Sequence, residues 1–522
     1  MKRWNSFIEI LKFPLMILII AVFLRGVSST LLSPNLARTI IFQQDFIYIV
    51  AEVINYFSEI IIVNFPLIVL LVYLTKQNNS AAAAGIGFLA YILFNTLTMF
   101  FAPQTLPATA YGSLFGMQID ARLLHISGYE IQMPLQTGIV GPLLIGLISR
   151  FHFKRSRSRS AYGFLPFIDQ DTWAYISTLI STAIVAVVVA FTWGHIINGL
   201  QTIFLFIAQD ISNPVNVFLY GILDRLLAIA NLSELIRVPF WYGELGGSWM
   251  NPAGQVFFGD VAVWTAQSTE GIFGMGSGRF ITPYYVINLF AFPAIAIVIY
   301  KKFTDKLERR RYLLFLVFAI VFFIISGNML PIEILLLFIA PLFFVFHILI
   351  TGILFAIMQA IPVHIGYNYA GSVVAASPGG IFDLLAFIRD PIIQRYLFLV
   401  IVIGIFVFVL YFLFGWFYYS YGALDMLKTG LKEKRVSMFL DSVGGIKNIR
   451  SINSSPSKII VQVHDSLLLD FSRISASGAY KIIETRAGYS IFYGPSSTII
   501  KKEINKMLIE REKALEIRKQ AQ

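Results

Sequence analysis

The chain has 522 residues, of which 57% are hydrophobic and only 13% charged, and its mean hydropathy is +0.74. Soluble domains carry about 25% charged residues, so this composition excludes an ordinary soluble enzyme and indicates a membrane protein. The net charge is +11 and cysteine is absent, which excludes disulfides, thiolate metal sites, iron–sulfur clusters and any covalent thiol intermediate.

In chain order, Lys2, Arg3 and the apolar run from Phe13 to Phe23 imitate a signal peptide. Many apolar runs follow, so the segment reads as an uncleaved first span. Crossing about 30 Å of hydrocarbon takes roughly 20 apolar residues. Candidate spans lie near 11–32, 39–55, 58–75, 81–101, 135–151, 173–208, 212–230, 281–300, 312–328, 332–360 and 395–420. The pattern predicts about ten transmembrane helices plus re-entrant segments. Lys and Arg concentrate in Lys154–Arg159, in Lys301–Arg311 and after Lys428. Such clusters mark cytoplasmic loops and need no nucleic-acid partner. The sequence Ser377-Pro378-Gly379-Gly380 predicts a backbone break at membrane depth, tolerated only inside protein or along a cavity. Between Asp224 and Asp260 the chain is too polar for lipid and too apolar for a free loop. That stretch, with Arg225, Glu234, Arg237 and Glu244, fits broken helices and hairpins around a polar cavity. An extracellular loop with aromatic interface anchors is the competing reading.

From about Lys432 the composition changes. A helix over 432–443 stops at Gly444-Gly445. Strands follow near 449–454 and 458–464, then a helix near 466–473, strands near 479–485 and 488–494, and an amphipathic helix over about 496–517. These elements predict a small α/β domain with a four-stranded sheet.

Three stretches carry a resemblance to a known family: Asn251–Asp260 (NPAGQVFFGD), Pro331–Ile353 (PIEILLLFIAPLFFVFHILITGI), and Gly444–Asp465 with its Gly-Gly opening. They resemble the sugar permeases of the bacterial phosphotransferase system, in the glucose, maltose and N-acetylglucosamine group. The resemblance implies an EIIC translocation domain over 1–427 and an EIIB-like cytoplasmic domain over 428–522. It also implies a sugar substrate, a bacterial inner-membrane location, an EIIA partner and a homodimer, with no cofactor and no metal.

In that family an EIIB cysteine accepts a phosphoryl group from an EIIA phosphohistidine and passes it to the sugar held in EIIC. By the resemblance, the cysteine position falls on Ser455. A serine hydroxyl does not titrate near neutrality and needs a dedicated base to attack; His464 is near only if the hairpin folds it back. The family reads GITEPIE where this chain reads Gly327-Asn328-Met329-Leu330-Pro331-Ile332-Glu333, so Leu330 occupies the position of the family's sugar-side glutamate and Glu333 keeps the second. Arg225 is kept, whereas two family histidines become Ser233 and Glu234. A further family segment is replaced near Phe167–Tyr175 by one containing Asp169-Gln170-Asp171. Glu234 could supply the carboxylate that Leu330 removes, or be a structural acid paired with Arg225 or Arg237. His347 reads as a packed hydrogen-bonder, and His125, His195 and His364 are too scattered for a metal site.

The substrate-binding residues expected are therefore Arg225, Glu234, Asn251, Gln255 and Glu333, with Trp241 and Trp249 as sugar-stacking aromatics. Three functions follow. One is a permease importing a hexose or maltose-type sugar, phosphorylated by a separate EIIB protein. Another is an inactive pseudo-transporter that senses sugar or assembles with an active paralogue. The third is an unrelated channel or facilitator on the same scaffold.

Overall fold

Long runs of leucine, isoleucine and phenylalanine uninterrupted by charge form helices here, because backbone groups in hydrocarbon have only one another as partners. The computed structural model describes residues 2–32, 45–112, 115, 133–156, 170–302, 306–366, 379–421 and 429–505. Within these stretches, positions 79, 104, 386, 455–457, 478, 480, 486–487, 494–496, 498–499 and 502–503 are outside the description. Two compact units result: Arg3–Gly415, and Trp416–Gln522 together with the first two residues.

The first unit is helical. In chain order it contains α1 Lys2–Leu32, α2 Asp45–Val63, α3 Phe65–Asn78, α4 Ala81–Phe101, α5 Val140–Ser156, α6 Gln170–Ala208, α7 Pro214–Ile229 and α8 Ser233–Trp241. A hairpin of β1 Ser248–Met250 and β2 Val256–Phe258 follows, then α9 Asp260–Thr269 and α10 Thr282–Val286. The chain continues through a π turn at Ile287–Ala291 into α11 Phe292–Lys302, then α12 Lys306–Ser326, α13 Leu330–Ile339, α14 Pro341–Ala360, α15 Ile381–Leu385 and α16 Pro391–Tyr421. Among the described residues, seven helices are long and apolar enough to cross a membrane: Ile10–Leu32, Phe46–Val63, Ala81–Phe101, Asp171–Ala208, Thr282–Lys301, Pro341–Ala360 and Pro391–Tyr418. At 1.5 Å per residue, the 39-residue α6 is about 58 Å long, well beyond the hydrocarbon thickness.

Several apolar runs predicted as single spans are divided, and proline is the reason. The break between the second and third runs falls at Asn64, because Pro66 has no N–H for the helix ladder. Pro341 likewise divides the 332–360 run, leaving Ala340 at φ −140° and ψ 64° between α13 and α14. Two glycines bring α7 and α14 close together. A Cβ on Gly221 would lie 2.5 Å from the Phe355 ring, and one on Gly352 would lie 2.8 Å from Ile222. Small residues at crossing points are how helices approach when water no longer drives packing.

The break expected at Gly379-Gly380 is buried in protein. A Cβ on Gly327 would come within 2.4 Å of the Gly380 nitrogen, so the two chain breaks pack together. Asn288, in the π turn, donates its amide to the carbonyls of Gly327 and Gly379. Ser377 and Pro378 lie outside the described residues.

The second unit holds α17 Thr429–Ser442, β3 Ile449–Ser454, β4 Lys458–Val463, α18 Phe471–Ala476, β5 Lys481–Thr485 and β6 Gly488–Phe492. The sheet is antiparallel with strand order β3-β4-β6-β5. Its core contains Val436, Phe439, Ile459, Val461, Ile474 and Ile491, joined by Ile500 and Ile504. Ile500 and Ile504 are four apart on the predicted last helix, most of which lies outside the described residues. The predicted helix at 466–473 is instead a 3-10 turn over Ser466–Leu468 followed by α18. Asp470 starts α18 by accepting from the Arg473 N–H, because an N-cap acid satisfies a donor the helix cannot.

Candidate functional site

The deepest polar feature of the helical unit is a ladder of charged side chains from α7, α8, α10, α13, α14 and α16. At one end, Arg237 donates from Nε to Asp224 Oδ1 at 2.6 Å. Arg225 donates to Asp224 Oδ2 from Nε at 3.1 Å and from an η nitrogen at 2.5 Å. The Tyr284 hydroxyl donates to the same oxygen, and the Arg225 guanidinium lies over the Tyr284 ring, 4.5 Å from its centroid. The other η nitrogen of Arg225 reaches Glu333 Oε1 at 3.3 Å. His347 continues the ladder, with Nε2 at 3.1 Å from Glu333 Oε1 and Nδ1 at 2.8 Å from the Tyr411 hydroxyl.

All four charged members are buried, Asp224 and Glu333 completely. Ions in such a place persist only when paired and hydrogen-bonded. Two carboxylates face two guanidiniums, so their charges balance. The buried polar atoms of the ladder are hydrogen-bonded, and His347 uses both ring nitrogens. Glu333 Oε2 is the exception: it is buried and has no hydrogen-bond partner among the described residues.

The expected site residues occupy three places. Arg225 and Glu333 share the ladder. Glu234, in the first turn of α8, turns to an extended segment instead, and its Oε2 accepts from Gln136 Nε2 at 2.8 Å. The acid held by Arg225 and Arg237 is Asp224. Asn251 and Gln255 form the tip of the β1–β2 hairpin. Asn251 Oδ1 accepts from the Gln255 N–H at 2.8 Å, and the Asn251 N–H donates to the Gln255 carbonyl at 2.9 Å. Gln255 is exposed. Asp260, closing the same motif, accepts from the N–H groups of Gly278 and Phe280 at 2.9 and 3.1 Å and so anchors the turn before α10.

Leu330 is 9% exposed and belongs to an apolar cluster with Leu11, Leu15, Ile62, Phe65, Ala228 and Ile334. Its N–H donates to Asn328 Oδ1 at 2.9 Å. Trp241 is buried, its indole N–H donating to the Tyr220 hydroxyl at 2.9 Å. Trp249 stacks on Phe257 in the hairpin. A cavity of about 430 Å³ lies beside Thr109, Ile197, Gln201, Phe204, Leu235 and Glu244 and includes none of the expected ligands. Among the described residues, no group of three or more His, Cys, Asp or Glu could hold a metal.

In the second unit, Ser455 lies outside the described residues, between Ser454 at the end of β3 and Lys458 at the start of β4. His464 is at the opposite end of β4. Its N–H donates to the Asn448 carbonyl at 2.9 Å, where the Asn448 side chain also binds the backbone of Asp465. At about 3.4 Å per residue, the six-residue strand separates His464 from the turn by roughly 20 Å. The hairpin does not fold it back.

No protein-family profile matches the chain. It is 25% identical over 487 residues to the PTS system glucoside-specific EIICBA component of Staphylococcus carnosus, an alignment covering 89% of this chain and 67% of that protein. Over most of its length the chain is thus similar to a sugar permease of the bacterial phosphotransferase system. With its seven apolar helices, the chain is a multi-pass protein of the bacterial inner membrane. The similarity to that component implies a sugar substrate and an EIIA partner.

Sequence reasoning missed Asp224, Tyr284, Tyr411 and Gln136 as members of polar networks. For Asp224 a signal was present, since an Asp-Arg pair followed by Arg237 in an otherwise apolar stretch must be neutralised internally. Tyr411 and Gln136 reach their partners across the fold and left no local pattern.

Proposed function

We propose that this permease binds a glucoside-type sugar, a hexose or maltose-like molecule, and carries it inward, with its phosphoryl group supplied by the EIIB of another polypeptide. The observation that carries this reading is the absence of cysteine from all 522 residues of a chain whose family relays phosphate through a thiolate. An unperturbed thiol titrates near pH 8.5 and is both nucleophile and leaving group. The Ser455 hydroxyl is neither without a base, and His464 is held at the far end of its strand.

The translocation domain in this reading is 1–427 and the EIIB-like domain 428–522, the latter retained for docking, with the permease a homodimer. Glu234 and the unpartnered oxygen of Glu333 are the acceptors for sugar hydroxyls. Arg225 is the counter-charge that keeps Glu333 ionised in the interior. Asn251 and Gln255 shape the hairpin tip beside them in sequence.

A second reading, a pseudo-transporter that binds sugar and signals or partners an active paralogue, is favoured by one observation. Leu330 places an apolar side chain in a hydrophobic cluster where the family carries a carboxylate. Uptake of labelled methyl β-glucoside by vesicles holding the purified permease, with and without an active EIIB and its phosphorylated EIIA, separates the two. Uptake above empty vesicles supports transport. Binding without uptake under either condition removes the transport reading.

A further inference from the structure

The segment from Pro134 to Ile139 is held from several sides. The Gln136 N–H donates to the Ala110 carbonyl at 2.8 Å, and the Gly112 N–H donates to the Pro134 carbonyl at 2.9 Å. The Trp193 indole N–H donates to the Gln136 carbonyl at 3.2 Å. The Ile139 N–H donates to the Ala230 carbonyl at 2.9 Å, at the turn between α7 and α8. Gly138 has φ +54°, and a Cβ there would lie 2.1 Å from that same carbonyl oxygen, so the segment and the turn meet as closely as glycine allows. The backbone of Gln136 is thus fixed on both its donor and its acceptor side.

The side chain is fixed too. Its Nε2 donates to Glu234 Oε2 at 2.8 Å. A carboxylate only accepts, so the amide is oriented with its nitrogen toward Glu234 and its oxygen away. That oxygen, Oε1, is buried and has no hydrogen-bond partner among the described residues. A buried amide oxygen left unpaired costs about 1–3 kcal/mol, and native proteins keep such groups where something else supplies the donor. Next to it stands a carboxylate that also only accepts. Two adjacent acceptors, one neutral and one anionic, on a rigid backbone suit neighbouring O–H donors.

We infer that Gln136 is a sugar ligand: its Oε1 accepts from one hydroxyl of the glycosyl ring while Glu234 accepts from the adjacent hydroxyl, the amide bond between them setting the spacing. The inference rests on the reading of the protein as a sugar binder and names the polar group that distinguishes one ring hydroxyl from its absence. A site built to hydrogen-bond a hydroxyl rejects the analogue that lacks it far more strongly than an apolar site does.

The test uses the full chain in nanodiscs, with methyl β-glucoside and its 2-, 3-, 4- and 6-deoxy analogues as probes. For the wild type, one or two deoxy analogues should bind on the order of tenfold or more weakly than the parent. Gln136→Leu should weaken the parent similarly and abolish its preference over one of those analogues, with the other analogues unaffected relative to the parent. Glu234→Gln, nearly isosteric, should abolish the preference over the neighbouring position, and it serves as well if Gln136→Leu does not fold. Parent and analogues weakened equally in both variants would mean a purely structural pair and overturn the inference. Unchanged binding in Gln136→Leu overturns it as well. If the wild type binds none of the probes, the sugar-binding reading fails first and the inference falls with it.

Discussion

Arg225 stands between two buried carboxylates, Asp224 and Glu333, with Arg237 as the second cation. Arg225→Leu leaves one uncompensated negative charge in the interior. The expected loss of stability is about 3–5 kcal/mol, the cost of breaking a buried pair from one side. Arg225→Leu combined with Glu333→Leu removes one charge of each sign and should recover most of that loss, as thermal unfolding in detergent will show. In the second unit, the Ser472 hydroxyl and then the Arg473 N–H hold the Asp470 carboxyl below the usual carboxylate range. A depressed folded pKa adds stability above the unfolded value, near 3.9 for aspartate, and that stability is lost as pH falls through the folded pKa. Asp470→Asn should therefore accelerate hydrogen exchange over Phe471–Ala476 at pH 7, and the difference from wild type should shrink as the pH is lowered below 4.

At the scale of elements, the contact of α7 with α14 depends on what two glycines lack. Gly221→Val places methyl groups where the Phe355 ring already lies. Overpacking of this kind costs about 1–3 kcal/mol. Gly221→Val combined with Phe355→Ala should regain part of it, measurable as a melting temperature between those of Gly221→Val and wild type. The breaks at Asn64 and Ala340 follow from Pro66 and Pro341 and are legible in the sequence once the missing N–H is counted. The pairing of the Gly327 and Gly379 breaks under the Asn288 amide is not, since it joins segments far apart in the chain.

For the whole molecule, the phosphotransferase cascade gives the clearest expectation. Incubated with labelled phosphoenolpyruvate, the general cascade proteins and EIIA, the permease should stay unlabelled, because no thiolate is present to receive the group. An acid-stable or acid-labile phosphate on the C-terminal domain, found by mass spectrometry, would contradict the proposed division of labour. Adding an active EIIB should raise sugar phosphate formation by the permease vesicles from background.

By itself the sequence determined the membrane class, the positions of most apolar helices and the strands of the C-terminal sheet. Composition and two-residue or 3.6-residue periodicity are local properties that need no knowledge of the fold. It also determined that thiol chemistry is absent. Only the tertiary structure decided which charges meet. Asp224 was one acid among several in a polar stretch, yet it binds both arginines. Glu234 could equally have paired with either arginine and instead binds Gln136, 98 residues earlier. Asn251 and Gln255 bond each other across the hairpin tip. Burial makes each ion find its partners inside the protein, and which partners it finds depends on distances between helices that no local pattern encodes.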